Sequence, residues 1–206
     1  MNQRFTIGRK LAIGFGIVFI AFLVNSFIMI NNSLKNKDLN ESITRLYTPS
    51  TNNLSHLRQV VVDSKMLIKN WVYIDKQSGT ADKLRLRRLH DSVFPGVIEE
   101  LNTLAPQWQE ESRQYFSSIK QTINDSLIPR HQEVMSQLNS FESYDDALVI
   151  FEVTPLVEEG GVIMNLTGKV IQNLDKLIEI QSEKMEAANQ KMNTSFARFP
   201  RIVVGI

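Results

Sequence analysis

The chain contains no cysteine. That absence excludes a disulfide framework, thiolate metal centres and cysteine nucleophiles together. Net charge is +1, so there is neither the global basic field of a nucleic-acid binder nor the acidic excess of a disordered chain. Glycine and proline number only 9 and 6 in 206 residues, and the stretches between them are rich in Leu, Lys, Glu, Gln and Asn. That balance favours helix over sheet. The catalytic patterns G-x-S-x-G, H-E-x-x-H and G-x-x-x-x-G-K-[ST] do not occur, so the expectation is a protein without enzymatic activity, cofactor or metal.

What is present begins with a long hydrophobic run. From Leu11 to Ile30 the chain reads LAIGFGIVFIAFLVNSFIMI, with no charge until Lys35. At about 1.5 Å per residue, some 20 residues span ~30 Å, the thickness of a bilayer's hydrocarbon core. A cleaved signal peptide would share the basic start (Arg4, Arg9, Lys10). Its apolar region is usually only about 7–15 residues, however, and it ends in an A-x-A-like site that is missing here. A buried core helix fits worse, because Ile13 to Val24 is apolar all the way round. Residues 1–10 carry three positive charges, whereas Lys35 and Lys37 are cancelled by Asp38 and Glu41. The positive-inside rule then places a tail of residues 1–10 in the cytoplasm and everything after Ile30 outside, in the periplasm of a two-membrane bacterium. After Phe199-Pro200-Arg201 the chain reads IVVGI, too short to span a membrane but apt as the start of a second membrane helix at 200–206.

Between these apolar segments, residues 31–199 show helical periodicity. Leu39, Ile43, Leu46, Leu54, Leu57, Val61, Ser64, Ile68 and Trp71 follow three-four spacing, with a slip around Pro49 that predicts a kink. A turn at Gln77–Thr80 leads to a second helix carrying Leu84, Leu86, Leu89, Val93, Val97 and Leu101, interrupted by Pro95-Gly96. A third helix runs from about Trp108 to Phe141 with Pro129 inside. A fourth runs to about Phe199, weakened early by Pro155 and Gly160-Gly161. Laid alternately up and down, helices of ~45, ~25, ~35 and ~55 residues rise ~68 Å, fall ~37, rise ~52 and fall ~82, which returns the chain to the membrane at IVVGI. The expected fold is therefore all-α: a transmembrane helix continuing into an up-down-up-down four-helix bundle, then the start of a second transmembrane helix.

The basic start, GRKLAIGFGIVF leading into a membrane helix, the outer bundle and the returning apolar segment resemble the N-terminal half of bacterial methyl-accepting chemotaxis receptors, and of sensor kinases sharing their sensor bundle. YTPSTNNLSHLRQVVVDSKMLIKNWVYIDK (Tyr47 to Lys76) is similar to the first sensor helix of such receptors, with LI-x-NWV in place. The resemblance implies an inner-membrane homodimer whose bundles bind a small anionic ligand or a periplasmic protein and pass a helix shift inward. A kinase or cyclase output, or a membrane-anchored adaptor with no small ligand, are the rival readings. A kinase His box and nucleotide-binding glycines are absent from these 206 residues.

Two cationic clusters are candidates for ligand contact. Arg58, Lys65 and Lys69 recur with Val62 and Val72 on one face of the first helix, and in the family resembled, arginines at a subunit interface hold anions. Arg85 and Arg88 share a face of the second helix, where positive charge at a helix N-terminus opposes the macrodipole. Against both stands the ordinary solvated basic face. His56, His90 and His131 read as surface or rim residues, and Trp71 and Trp108 as bundle fillers whose indole N–H finds a partner.

Overall fold

A computed structural model describes residues 7–203 of the chain, with side chains through Ser195. Among the described residues every regular element is helical. The chain divides into two compact units, Met1–Thr44 with Glu186–Ile206, and Arg45–Met185.

The first unit holds α1 (Ile7–Ser42). Most of its apolar side chains are exposed: Phe15, Val18, Phe22 and Phe27 are each 66–69% exposed. Helical structure continues without a break from Ile7 to Tyr73, and the first part of this run is long and apolar enough to cross a membrane. The last helix, α8, is helical from Val162 to Val203 and so contributes to both units. The expected second membrane helix at 200–206 falls where only the backbone to Val203 is described; residues 204–206 and the tail residues 1–6 lie outside the described residues.

The second unit is built from α2 (Thr48–Tyr73), α3 (Ala81–Arg88), α4 (Phe94–Leu104), α5 (Glu110–Thr122), α6 (Ile128–Gln137), α7 (Ala147–Val157) and the first part of α8. Its core contains Leu54, Leu57, Val61, Ile68 and Trp71 of α2, Leu86, Phe94 and Leu101 of the second helical run, Phe116, Ile119, Ile123, Leu127 and Val134 of the third, and Val170, Leu174 and Leu177 of α8. Most are the expected stripe. Each fully buried Leu or Phe contributes about 1.5–3 kcal/mol relative to an exposed one. Leu84, expected on the apolar stripe, is instead 55% exposed, and Phe141, at the expected end of the third helix, is 53% exposed, while Phe94 and Ile98 take buried places that were not expected.

The prolines explain the displaced rhythm. Single turns of π-helix occupy Ile43–Tyr47, Leu89–Val93 and Ile123–Leu127, and Pro49, Pro95 and Pro129 each follow two residues later. In an α-helix the proline ring collides with the carbonyl four residues back. Those residues, Arg45, Asp91 and Asp125, are the centre of each π turn. Widening the ladder to i→i−5, as in the bonds from Phe94 N–H to the Leu89 carbonyl and from Ile128 N–H to the Ile123 carbonyl, accommodates the ring while the helix continues. The kink expected at Pro49 is thus a one-residue insertion in the helical ladder.

Two boundaries differ from expectation. The third run ends at Gln137, because Leu138 leaves helical conformation (φ −99°, ψ 55°). The fourth is two helices, separated at Glu158–Gly161. Gly160 has φ +83°, a left-handed conformation that L side chains rarely adopt. A Cβ on Gly161 would lie 2.2 Å from the Pro155 carbonyl oxygen and 2.7 Å from that of Leu156. Backbone of the first helix folds tightly over the start of the second, which only glycine permits.

Candidate functional site

The candidate cations do not form one site. Arg58 makes an ion pair with Asp175 of α8 at 2.5 Å. Lys65 and Lys69 lie seven and eleven residues further along α2, on the same face, and are half-buried. Arg85 pairs with Asp63, roughly 160° around α2 from Lys65 at 100° per residue. Arg88 is exposed, and Arg87 stacks its guanidinium over the Trp71 ring at 5.5 Å. Two of the five candidates therefore already have a carboxylate partner, each pair exposed enough to contribute only about 0–1 kcal/mol. Near the Arg58–Asp175 pair, α5 and α8 border an open groove of about 620 Å³ lined by Tyr115, Gln172, Asn173, Asp175, Lys176 and Glu179. A second groove of about 550 Å³ shares Tyr115 and Asn173 and adds Glu111 and Lys169. Its rim mixes both charge signs, a composition suited to a small polar molecule with both donor and acceptor groups.

Sequence spacing missed the polar interior. His90, in the π turn after α3, is 7% exposed, and His131 of α6 is fully buried. These two do not sit at the rim as expected. Their rings meet with His90 Nε2 and His131 Nδ1 3.0 Å apart, ring centroids 5.2 Å apart and planes 28° from parallel. A centroid separation that large, with nitrogens that close, places the N···N line along both rings. This is the geometry of a hydrogen bond between the rings, not of two lone pairs converging on one ion. Among the described residues no group of three or more His, Asp or Glu is placed to hold a metal. Burial lowers both imidazoles, His90 to about 4 against a small opposing pull from Asp91, and His131 to about 3, helped by His90. Only His56 is exposed.

At one end of the unit, the C-terminal ends of α2 and α6 and the turn before α7 are tied together. Trp71 donates its indole N–H to the Leu138 carbonyl at 3.0 Å, and the Tyr144 hydroxyl donates to the Trp71 carbonyl at 2.6 Å. Lys83 is 1% exposed and lies 4.8 Å from the centres of both rings. Burial lowers its pKa, which Asp75 counters. At the other tryptophan, the Trp108 indole donates to Ser50 Oγ at 2.9 Å and meets the edge of Phe116. Both indoles have the partner that the sequence reading asked for. The signal for these ties was in the residue types, but their partners lie 58 to 73 residues away and could not be named from spacing.

No protein-family model, curated protein or solved structure is detectably similar to this chain.

Proposed function

We propose that this chain is the membrane-anchored sensory input region of a bacterial transmembrane receptor of the chemotaxis-receptor type. In this reading Leu11–Ile30 crosses the inner membrane with the N-terminus in the cytoplasm, residues 31–199 form an up-down-up-down four-helix bundle in the periplasm, and 200–206 begin the return through the membrane. The receptor works as a homodimer, and occupancy of its outer bundle by a small ligand or a periplasmic protein shifts α8 relative to α1. The observation that supports this reading is the unbroken helix from Ile7 to Tyr73, which joins an apolar stretch of membrane length to α2, a central element of the helical core. A continuous helix is a stiff connection, so a displacement at the core is not dissipated in a linker.

The missing cysteines make the test clean. In intact cells a membrane-impermeant maleimide should label Ser78→Cys, in the exposed turn after α2, and should reach Asn2→Cys only after lysis. Labelling of Asn2→Cys from outside, or of neither, removes the topology. For ligand binding, the full chain in detergent is screened by thermal shift against organic acids, amino acids and amines. A ligand at about 100 times its Kd adds ~2.7 kcal/mol to stability.

A further inference from the structure

The second unit carries two exposed patches of opposite charge, each surrounding bare apolar side chains. Four of the six residues from Lys83 to Arg88 are basic. Lys83 is turned inward, while Arg85, Arg87 and Arg88 are exposed around Leu84, itself 55% exposed. Ile74, in the turn just before, is 68% exposed. On α7 the situation is reversed. Leu148 and Phe151, three residues apart on one helical face, are 75% and 77% exposed. Between Arg130 and Lys169 there is no Lys or Arg and there are seven carboxylates, in a chain of net charge +1. The two patches belong to the same end of the unit, since Lys83 of α3 lies against the ring of Tyr144, three residues before α7.

We propose that the α7 patch of one copy docks against the α3 patch of a second copy, in a head-to-tail contact between neighbouring chains. Leu148 and Phe151 form an aromatic-aliphatic anchor, with Glu152 on α7 beside them and Asp145, Glu158 and Glu159 just beyond the two ends of the helix, all four exposed. An exposed Phe beside a Leu is the side-chain chemistry of an interface centre, with charge at its rim. α7 has 11 residues, too few to cross a membrane, and its acidic flanks are repelled by anionic lipid. Pairing α7 with its own copy about a two-fold axis would set carboxylates against carboxylates. The α3 patch meeting its own copy fails in the same way. Only the cross pairing buries apolar surface on both sides while opposing unlike charges. Such a contact is heterologous, so it leaves one patch of each sign free and propagates from copy to copy. Its footprint is small, in the weak and transient class below about 1,200 Å². Confinement of parallel copies in one membrane supplies the local concentration, a step that rests on the anchored reading above; the complementarity of the patches does not.

Disulfide trapping of the full chain in its membrane tests this. Leu84→Cys and Phe151→Cys, each exposed and each the only cysteine of its chain, are co-expressed with different tags and oxidised briefly. The mixed disulfide should exceed both homodisulfides several-fold and should decline as salt rises, because exposed charges are screened over about 10 Å at 0.1 M. Glu152→Arg on the Phe151→Cys chain should lower the yield several-fold, and Arg88→Glu on the other chain should restore it. Homodisulfides in excess, a yield indifferent to both reversals, or capture of a different protein by Phe151→Cys without the mixed dimer would each overturn the proposal. Melting of the single variants in the same membranes confirms that both are folded. High-pH extraction reads the anchor separately: a chain that washes off yet still gives the mixed disulfide refutes the anchor and leaves the contact standing.

Discussion

His90 and His131 meet end to end in the interior, Nε2 to Nδ1 at 3.0 Å, across 41 residues of sequence. Each neutral imidazole carries one proton, so one nitrogen of the pair donates and the other accepts. His131 Nε2 is buried with no hydrogen-bond partner. A bare lone pair there is tolerated better than an orphaned N–H. The favoured arrangement therefore has His131 Nδ1–H donating to His90 Nε2, leaving the second proton of the pair on His90 Nδ1. A single imidazolium could keep this bond but would be a charge held in a buried site, and protonation of both rings would set two donors face to face.

From this follows a pH dependence with a definite sign. The folded pKa values are held down to about 4 and about 3, against about 6.5 in the unfolded chain. The unfolded state then binds protons that the native state refuses, so stability is full above about pH 6.5 and is lost as pH falls toward 3. Between pH 7 and pH 5 the loss should be about 2–4 kcal/mol, because two imidazoles of the unfolded chain take up protons over a range in which the native pair takes up almost none. Urea unfolding across that range measures it. In His90→Leu/His131→Leu the decline between pH 7 and 5 should vanish; a decline equal to that of the parent would show that other groups cause it.

A second prediction concerns the π turns. Each holds one residue more than an α-helical turn, and the buried positions on either side are placed accordingly: Ile119, Ile123, Leu127 and His131 step by four each time. Deleting the exposed Asp125 together with Pro129→Ala should convert the Ile123–Leu127 turn to ordinary α-helix and leave the downstream face in register. That variant should unfold cooperatively. Deleting Gln132, in regular helix, turns every later residue by about 100° and should abolish cooperative unfolding. Equal damage from both deletions would mean that the turn is not a removable insertion.

These turns also show what the sequence revealed and what it hid. The slip near Pro49 was visible as broken three-four spacing, but a kink and an inserted residue produce the same slip. What separates them is the carbonyl four residues before the proline, and its placement depends on which neighbouring helix holds the buried residues on each side. Leu84 followed the apolar stripe in sequence yet faces water, because Leu86 and the stem of Lys83 fill the adjacent interior. The histidine pair was illegible for a related reason. His90 and His131 have no local spacing between them, and each alone resembles a surface histidine. Of the cationic candidates, the residue types and helix faces were readable, whereas the partners Asp63 and Asp175 were set by packing between helices.

Trp108 and Ser50 offer a direct measure of how the interior is tied. The 2.9 Å bond between them is buried at both ends, and Ser50 is 0% exposed. Ser50→Ala and Trp108→Phe should each cost about 1–3 kcal/mol, since each leaves a buried polar atom without its partner. A double-mutant cycle should return a coupling of roughly 1 kcal/mol, with the double variant less damaged than the sum of the two. Additive losses would mean that the hydroxyl and the indole have other partners.

The turn between α7 and α8 should respond unequally to its two glycines. At Gly160 the space around a new Cβ is empty, so Gly160→Ala meets only the backbone preference against φ +83°, about 1–2 kcal/mol. At Gly161 the backbone conformation is ordinary, but three carbonyl oxygens stand within 2.9 Å of the added Cβ. Backbone oxygens cannot rotate aside, so Gly161→Ala must push α7 away from the first turn of α8. Val153 and Val157, which are 0% exposed, would then lose part of their packing. A cost of roughly 3 kcal/mol or more is expected, in the range of a damaged core. Urea denaturation of the two variants ranks them. If Gly160→Ala proved the more harmful, strain in the left-handed residue, and not the closeness of the two helices, would control this turn.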